Sequence, residues 1–211
     1  LVGVGCASPA SSQAPSLVFA TELVHFEPGD GAGYGQEYLP EIVLGAPDDA
    51  SETAGSLDVL SLGVGGYVEL GFGDKFITDG PGADFIVFEN AFWPGGDRQK
   101  VWAEPGEVSV SSDGVLWIPF PCDHNVTAGV TFPGCAGWTP TRAFDLSTLV
   151  ELDPESVGGD AFDLADVGLI EARFVRILDL SSEGAPPSAG FDLDAVGVIH
   201  WAETSPETPK R

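Results

Sequence analysis

Glu107-Val108-Ser109-Val110-Ser111-Ser112-Asp113-Gly114-Val115-Leu116-Trp117-Ile118-Pro119-Phe120 is the stretch that decides the fold class. Val108 and Val110 alternate with Glu107, Ser109 and Ser111, the period of two that turns one side of a strand toward a core. Ser112-Asp113-Gly114 is a hairpin turn signal, and residues 115–120 read as the return strand. Pro119 places part of that strand at a sheet edge, because proline donates no ladder hydrogen bond. The rest of the chain repeats this style. Val68, Leu70 and Phe72 share one strand face, while Asp84-Phe85-Ile86-Val87-Phe88-Glu89 is apolar on both faces, as a doubly covered central strand is. Residues 172–178 and 195–201 are further strands, and residues 16–20 and 23–26 form a first strand with a bend. Only residues 146–152 and 163–170 suit a helical turn or two. Short strands, frequent turn signals and no strand–helix rhythm predict an all-β protein, an antiparallel β-sandwich.

Composition supports a folded core and limits the partners. Hydrophobic residues make up 43% of the 211, with five Trp and thirteen Phe, enough apolar surface to bury. Thirty-three Asp and Glu against eight Lys and Arg give a formal charge of −25, and two of the cations, Lys210 and Arg211, are the last two residues. Nucleic acid is excluded as a partner, since phosphate contacts need a basic face. Charge-driven docking on an anionic membrane is disfavoured for the same reason. No apolar run is long enough for a transmembrane segment. The Gly-rich loop from Glu27 to Gln36 has neither a following helix nor a lysine, so it is not a phosphate cradle.

Cys122 and Cys135 bracket a twelve-residue segment that includes His124. In an exported chain such a pair forms a disulfide, worth about 3 kcal/mol by the chain-entropy argument. Two Cys and one His lack the paired spacing of a zinc module. Asn125-Val126-Thr127 matches a glycosylation acceptor. Val4-Gly5-Cys6, followed by Ala7-Ser8-Pro9, is similar to the end of a bacterial lipoprotein signal, which makes Cys6 the candidate for lipidation. The expected organisation is an export remnant and flexible linker over 1–16, a β-sandwich binding domain over 17–203, and a disordered tail over 204–211.

Three segments carry a resemblance. Val108 to Trp117 resembles the V-x-V-S-x-D-G-x-x-W hairpin of discoidin-type, galactose-binding-like jelly rolls, and Ala172-Arg173-Phe174-Val175-Arg176-Ile177 resembles their A-R-Y-V-R-I strand. Gly190 to Val198 sits where those domains place their last strand. With Gly80 to Phe92, the chain is more similar still to a group of bacterial exported cell surface proteins. The resemblance implies a galactose-binding-like jelly roll at the bacterial cell surface or outer membrane, or in the periplasm. No Cys pair ties the sandwich termini together, and the hairpin apex lacks an exposed aromatic pair, so lipid-headgroup binding is not implied.

Carboxylates are the first chemical resource. Asp192 and Asp194 are two apart, which in a regular strand puts both on one face, where they repel unless a cation sits between them. Phe-Asp-Leu recurs at 144–146, 162–164 and 191–193, each time setting an acid between apolar anchors, with Arg173 and Arg176 among the few cations to pair with it. Glu89 and Asn90 end the central strand. The expectation is one structural Ca²⁺ on Asp192, Asp194 and members of Glu89, Asn90 and Asp163, because hard oxygen donors from several loops suit that ion. The other reading has these acids accepting backbone N–H bonds and pairing with Arg. No EF-hand pattern is present.

Aromatic side chains are the second resource. Phe92, Trp93 and Trp102 flank a polar loop that contains Arg98, Tyr34 and Tyr38 lie in the Gly-rich loop, and Trp138 follows Cys135. Rings beside polar side chains build sugar- and small-molecule-binding surfaces; the alternative is that the rings cap the sandwich ends. His25, His124 and His200 are scattered and no Gly-x-Ser-x-Gly elbow exists. Carboxylate pairs are too abundant here for a glycosidase pair to be informative. The expected function is non-catalytic binding of carbohydrate or another small extracellular ligand with Ca²⁺ holding the loops. Alternatives are a surface lipoprotein that captures a cofactor-sized nutrient for an outer-membrane transporter, a structural or adhesive envelope module, and a polysaccharide hydrolase.

Overall fold

The computed structural model describes residues 17–48, 51–125, 132–142 and 151–204. The linker over 1–16, Cys6, the glycosylation acceptor beyond Asn125, the first Phe-Asp-Leu and the tail beyond Thr204 lie outside the described residues. Thr204 itself is held by Asp74, whose carbonyl oxygen accepts from its N–H and its hydroxyl.

Among the described residues, fifteen short strands are joined almost wholly by turns. They are β1 (Val18–Phe19), β2 (Glu22–Glu27), β3 (Leu60–Ser61), β4 (Tyr67–Gly71), β5 (Lys75–Thr78), β6 (Phe85–Glu89), β7 (Gly106–Ser111) and β8 (Ile118–Pro119). There follow β9 (Asp160–Phe162), β10 (Glu171–Ala172), β11 (Phe174–Asp179), β12 (Gly184–Ala185), β13 (Ser188–Ala189), β14 (Asp192–Val198) and β15 (Trp201–Glu203). Among the described residues there are one α-helical turn, α1 (Pro154–Val157), capped by the Asp153 carboxylate, and four 3₁₀ turns. No helix among the described residues is long and apolar enough to cross a membrane.

Two antiparallel sheets form the sandwich. One runs β1-β14-β6-β9 with β3 added to β14; the other runs β2-β4-β11-β7-β8. A small sheet, β10-β5-β15, stands beside them. The main core lies between the two large sheets. Val68, Leu70, Val108, Val110, Val175 and Ile177 meet Phe85, Val87, Phe162, Leu193, Val196 and Val198 there. Alternation therefore predicts the inward face of β4 and β7 correctly. The other face of β6 is covered too: Ile86 and Phe88 pack with Ala195, Leu152 and Val157 in a second cluster under α1. This makes β6 the doubly covered strand that its sequence predicts.

Two expectations change in detail. The bent first strand is two strands in different sheets, because the chain leaves β1 at Ala20 and enters the opposite sheet at β2. Ala20 N–H still reaches Val196 of one sheet while Thr21 N–H reaches Gly71 of the other. The return strand after the hairpin shortens to β8, and Val115 and Leu116 stand 83% and 67% exposed. The cause is Asp113, whose Oδ1 accepts from the N–H groups of Val115 and Leu116 at 2.8 and 2.9 Å and keeps them out of the ladder. Those two bonds draw the Asp113 carboxyl below its usual pKa.

Cys122 and Cys135 form a disulfide with their Cα atoms 4.6 Å apart. It ties the strand leaving β8 to the segment that bridges Gly106 through Ala136. Replacing both cysteines by serine is expected to cost about 3 kcal/mol, read as a lower urea midpoint; an unchanged midpoint would mean that the loop ends are held by other contacts.

Candidate functional site

Strand β6 ends at Glu89, and the inward-facing parity that puts Phe85 and Val87 in the core carries Glu89 inward as well. Glu89 is 2% exposed, and neither carboxylate oxygen has a hydrogen-bond partner. Burial, then repulsion from Glu104, Asp192 and Asp160, pushes its carboxyl well above the usual range. Glu104 lies just before β7, is 3% exposed, and has an Oε1 without a partner. Its carboxyl is pushed up to about 8, first by burial and then by Asp192 and Asp179, while a hydrogen bond from the Trp102 side chain opposes the rise. Carboxylates in this state are costly without a proton or a cation.

The neighbouring acids are better provided for. Asp160, on the edge strand β9, accepts from the N–H groups of Gly137 and Trp138 on one oxygen, at 2.7 and 3.0 Å. Burial still pushes its carboxyl up to about 6. Asp179 ends β11 and accepts from Gly65, Ser181 and Phe191 N–H groups. Asp192 accepts from the Ser188 hydroxyl at 3.0 Å, and the Ser61 and Asn90 side chains also bond to it. All of this lies at one end of the sandwich, where the segments around 90, 104, 137 and 190 converge. Gly184 must be a glycine here, because it sits at a positive φ with room for no Cβ beside Ser188 and Glu104.

No basic side chain among the described residues reaches this end. Lys75 pairs with Asp74 and Glu203, Arg98 and Arg142 with Glu52, Lys100 with Asp97, and Arg176 with Glu69. Arg173 lies over the Phe76 ring at 4.9 Å. The expected pairing of Arg173 and Arg176 with the Phe-Asp-Leu acids is therefore not made at Asp163 or Asp192, the two that lie among the described residues. Arg176 instead joins β11 to Glu69 of β4, with its Nε 2.9 Å from Oε1, and stacks on Trp117.

The predicted calcium set is split. Glu89, Asn90 and Asp192 are gathered at the acidic end, but Asn90 Oδ1 is spent on the Ser56 N–H, so its role is to hold Asp192 and the 56 loop. Asp194 falls at an irregularity in the β14–β6 register between Leu193 and Ala195, so simple alternation from Asp192 does not fix its direction. Its Oδ1 accepts from the Asp48 N–H. Asp163 lies beyond the other end of β6, with Asp79 and Asp84; one carboxylate oxygen from each of these three lies within 4.8 Å of the others. Asp84 is already satisfied by Gly80 N–H, Leu164 N–H and the His200 ring, while Asp163 caps a 3₁₀ turn through Ala165 N–H. Glu104 and Asp179 belong to the acidic end and are absent from the predicted set. The core flanks of the two described Phe-Asp-Leu segments are as expected, with Phe162, Leu164, Phe191 and Leu193 all buried.

A cleft of about 500 Å³ opens beside the acidic end, between the segment leaving β8 and the edge strand β9. Phe120, Phe162 and Trp138 supply apolar walls, Asp160 and Asp166 supply carboxylates, and Cys135 of the disulfide closes one side. Trp138 is half-buried and fixed by its indole N–H, which donates to the Cys135 carbonyl at 3.0 Å.

Of the predicted ligand-binding residues, only Trp138 lines this cleft. Phe92 and Trp102 bridge one another across the 92–102 loop. Arg98 covers one face of Trp93 at 4.4 Å and pairs with Glu52. Tyr34 donates its hydroxyl to the Leu57 carbonyl, and Tyr38 is exposed. Trp102 is 47% exposed and touches the acidic end through Glu104.

No protein-family model matches the chain, and no curated protein matches it.

At low divalent-cation concentration the acidic end sets a pH dependence. Glu104 is raised in the folded chain from 4.5 to about 8, so the folded state holds a proton that the unfolded state has released. The corresponding stability is present below about 4.5 and lost as pH rises through about 8. Thermal melts from pH 5 to 8.5 in chelator are expected to fall with pH, and less steeply in Glu104→Gln. Parallel slopes would remove Glu104 from the account.

Proposed function

We propose that this chain is a non-catalytic binding protein of the bacterial cell surface, taking carbohydrate or another small extracellular ligand in the cleft beside β9. The observation that carries the reading is the lining of that cleft: a fixed indole, two Phe rings and two aspartates surround a volume that suits a small ligand. Aromatic faces stack on the C–H faces of sugars, and carboxylates accept from their hydroxyl groups. The arrangement also suits a neutral or cationic ligand better than an anion, in keeping with a charge of −25. Residues of a nucleophilic relay are not gathered there: the lining offers neither His nor free Cys, and His200 is bound to Asp84 elsewhere. Calcium is the cofactor in this reading, as the hard divalent ion that oxygen-only sites take. The galactose-binding-like resemblance points to the same class of ligand and to an exported location.

A glycan array followed by calorimetry on the best glycan tests the proposal. Trp138→Ala is expected to weaken binding about tenfold or more, the equivalent of roughly 1.4 kcal/mol, with a melting temperature close to that of the parent. Trp93→Ala is expected to bind as the parent does. If Trp93→Ala loses the ligand and Trp138→Ala keeps it, the site is the 92–102 loop and the cleft assignment falls.

A further inference from the structure

We propose that Glu89 and Glu104 together hold one divalent cation, calcium, inside the acidic end of the sandwich. Three observations carry this. Glu89 is enclosed by protein yet has both carboxylate oxygens without a hydrogen-bond donor, and Glu104 Oε1 is in the same condition. Every Lys and Arg among the described residues is engaged elsewhere, so no side chain supplies the missing positive charge. The surrounding acids, Asp160, Asp179 and Asp192, are each satisfied in part by backbone or hydroxyl donors. They add negative field at the site, and of the three only Asp160 keeps an open oxygen, its Oδ1, beside those of Glu89 and Glu104.

The donor set names the ion. It is all oxygen, with neither His nor Cys among the groups that act on Glu89 or Glu104, and this favours a hard cation over zinc or copper. Glu89 can offer both oxygens at once, the bidentate mode that calcium accepts readily, with water and backbone carbonyls completing six to eight oxygens. The trio Asp79, Asp84 and Asp163 has the tighter geometry, but its buried member already has its donors. The assignment rests on the calcium element of the proposed function and not on the ligand cleft. It moves that element from Asp163 and Asp194 to Glu104.

The test uses the full chain after chelator treatment, at pH 7.5 in 0.5 M NaCl so that diffuse binding to the acidic surface is screened. Calorimetric titration with CaCl₂ is expected to give one ion per chain. The melting temperature should rise by about 5–10 °C when calcium stands a hundredfold above its Kd. Glu89→Gln and Glu104→Gln are expected to melt at or above the parent without calcium, since repulsion is relieved, and to show no shift with it. Asp163→Asn and Trp138→Ala should respond to calcium like the parent, which separates failure here from failure of the ligand reading. Absence of stoichiometric binding, or a parental calcium response in both Gln variants, overturns the assignment in favour of protonated carboxyls. Should the Gln variants not fold, terbium luminescence excited through tryptophan serves instead. Emission displaced by calcium and reduced by half or more in Trp102→Phe supports the site, and emission unchanged by either overturns it.

Discussion

Strand β6 is covered on both faces, and that condition organises the molecule. Phe85 and Val87 need a second sheet on one side, while Ile86 and Phe88 need α1 and Leu152 on the other. A strand in that position cannot turn a polar residue to water by alternation. Its polar ends, Asp84 and Glu89, must therefore be buried with whatever partners the loops bring. The two ends are met in opposite ways. Asp84 receives two backbone N–H groups and the His200 ring, so that one carboxylate fixes the 80 loop, the 164 turn and the β14–β15 connection. Glu89 receives no donor at all.

That difference gives the acidic end its character. Burying a carboxylate costs several kcal/mol unless hydrogen bonds or charge compensate it. The fold shows repeatedly that it can compensate: the segment at 137–139 turns its N–H groups onto Asp160, and the segments at 65, 181 and 191 do the same for Asp179. Backbone donors were available at this end, and they went to Asp160 and Asp179. Glu89 and Glu104 were left open among them, and a group left open in such company is better explained by an ion than by poor packing.

Much of the architecture was legible because it follows from period two. Val68, Leu70, Val108 and Val110 all face the core, and the two-sided burial of residues 85–88 was visible in their uniform apolarity. The disulfide was legible from the cysteine count and the expectation of an exported chain. What escaped the sequence depends on contacts between distant segments. The register irregularity at Asp194 has no local signature, and it interrupts the alternation that runs from Asp192. Glu104 sits in Ala103-Glu104-Pro105, a segment without periodicity, and its burial comes from the segments at 137 and 184, far along the chain. The shortening of β8 could have been read from Asp113, whose side chain favours turns over strand pairing. Trp138 was singled out by its type and its place after Cys135, whereas the cleft it lines depends on the distant segments at 120 and 160 coming together.

The charge of −25 can now be divided by location. Asp84, Glu89, Glu104, Asp160, Asp179, Asp192 and Asp194 are buried, and the basic residues of the described chain are drawn to other partners. Surface acids repel one another weakly through water, but buried ones interact across a medium of lower dielectric and are screened far less by salt. The electrostatic problem of this protein is therefore concentrated at one end of the sandwich, although most of its charge is spread over the surface. A single divalent ion there would cancel only two charges. It would cancel those of Glu89 and Glu104, beside the cleft whose wall Asp160 shares with the acidic end.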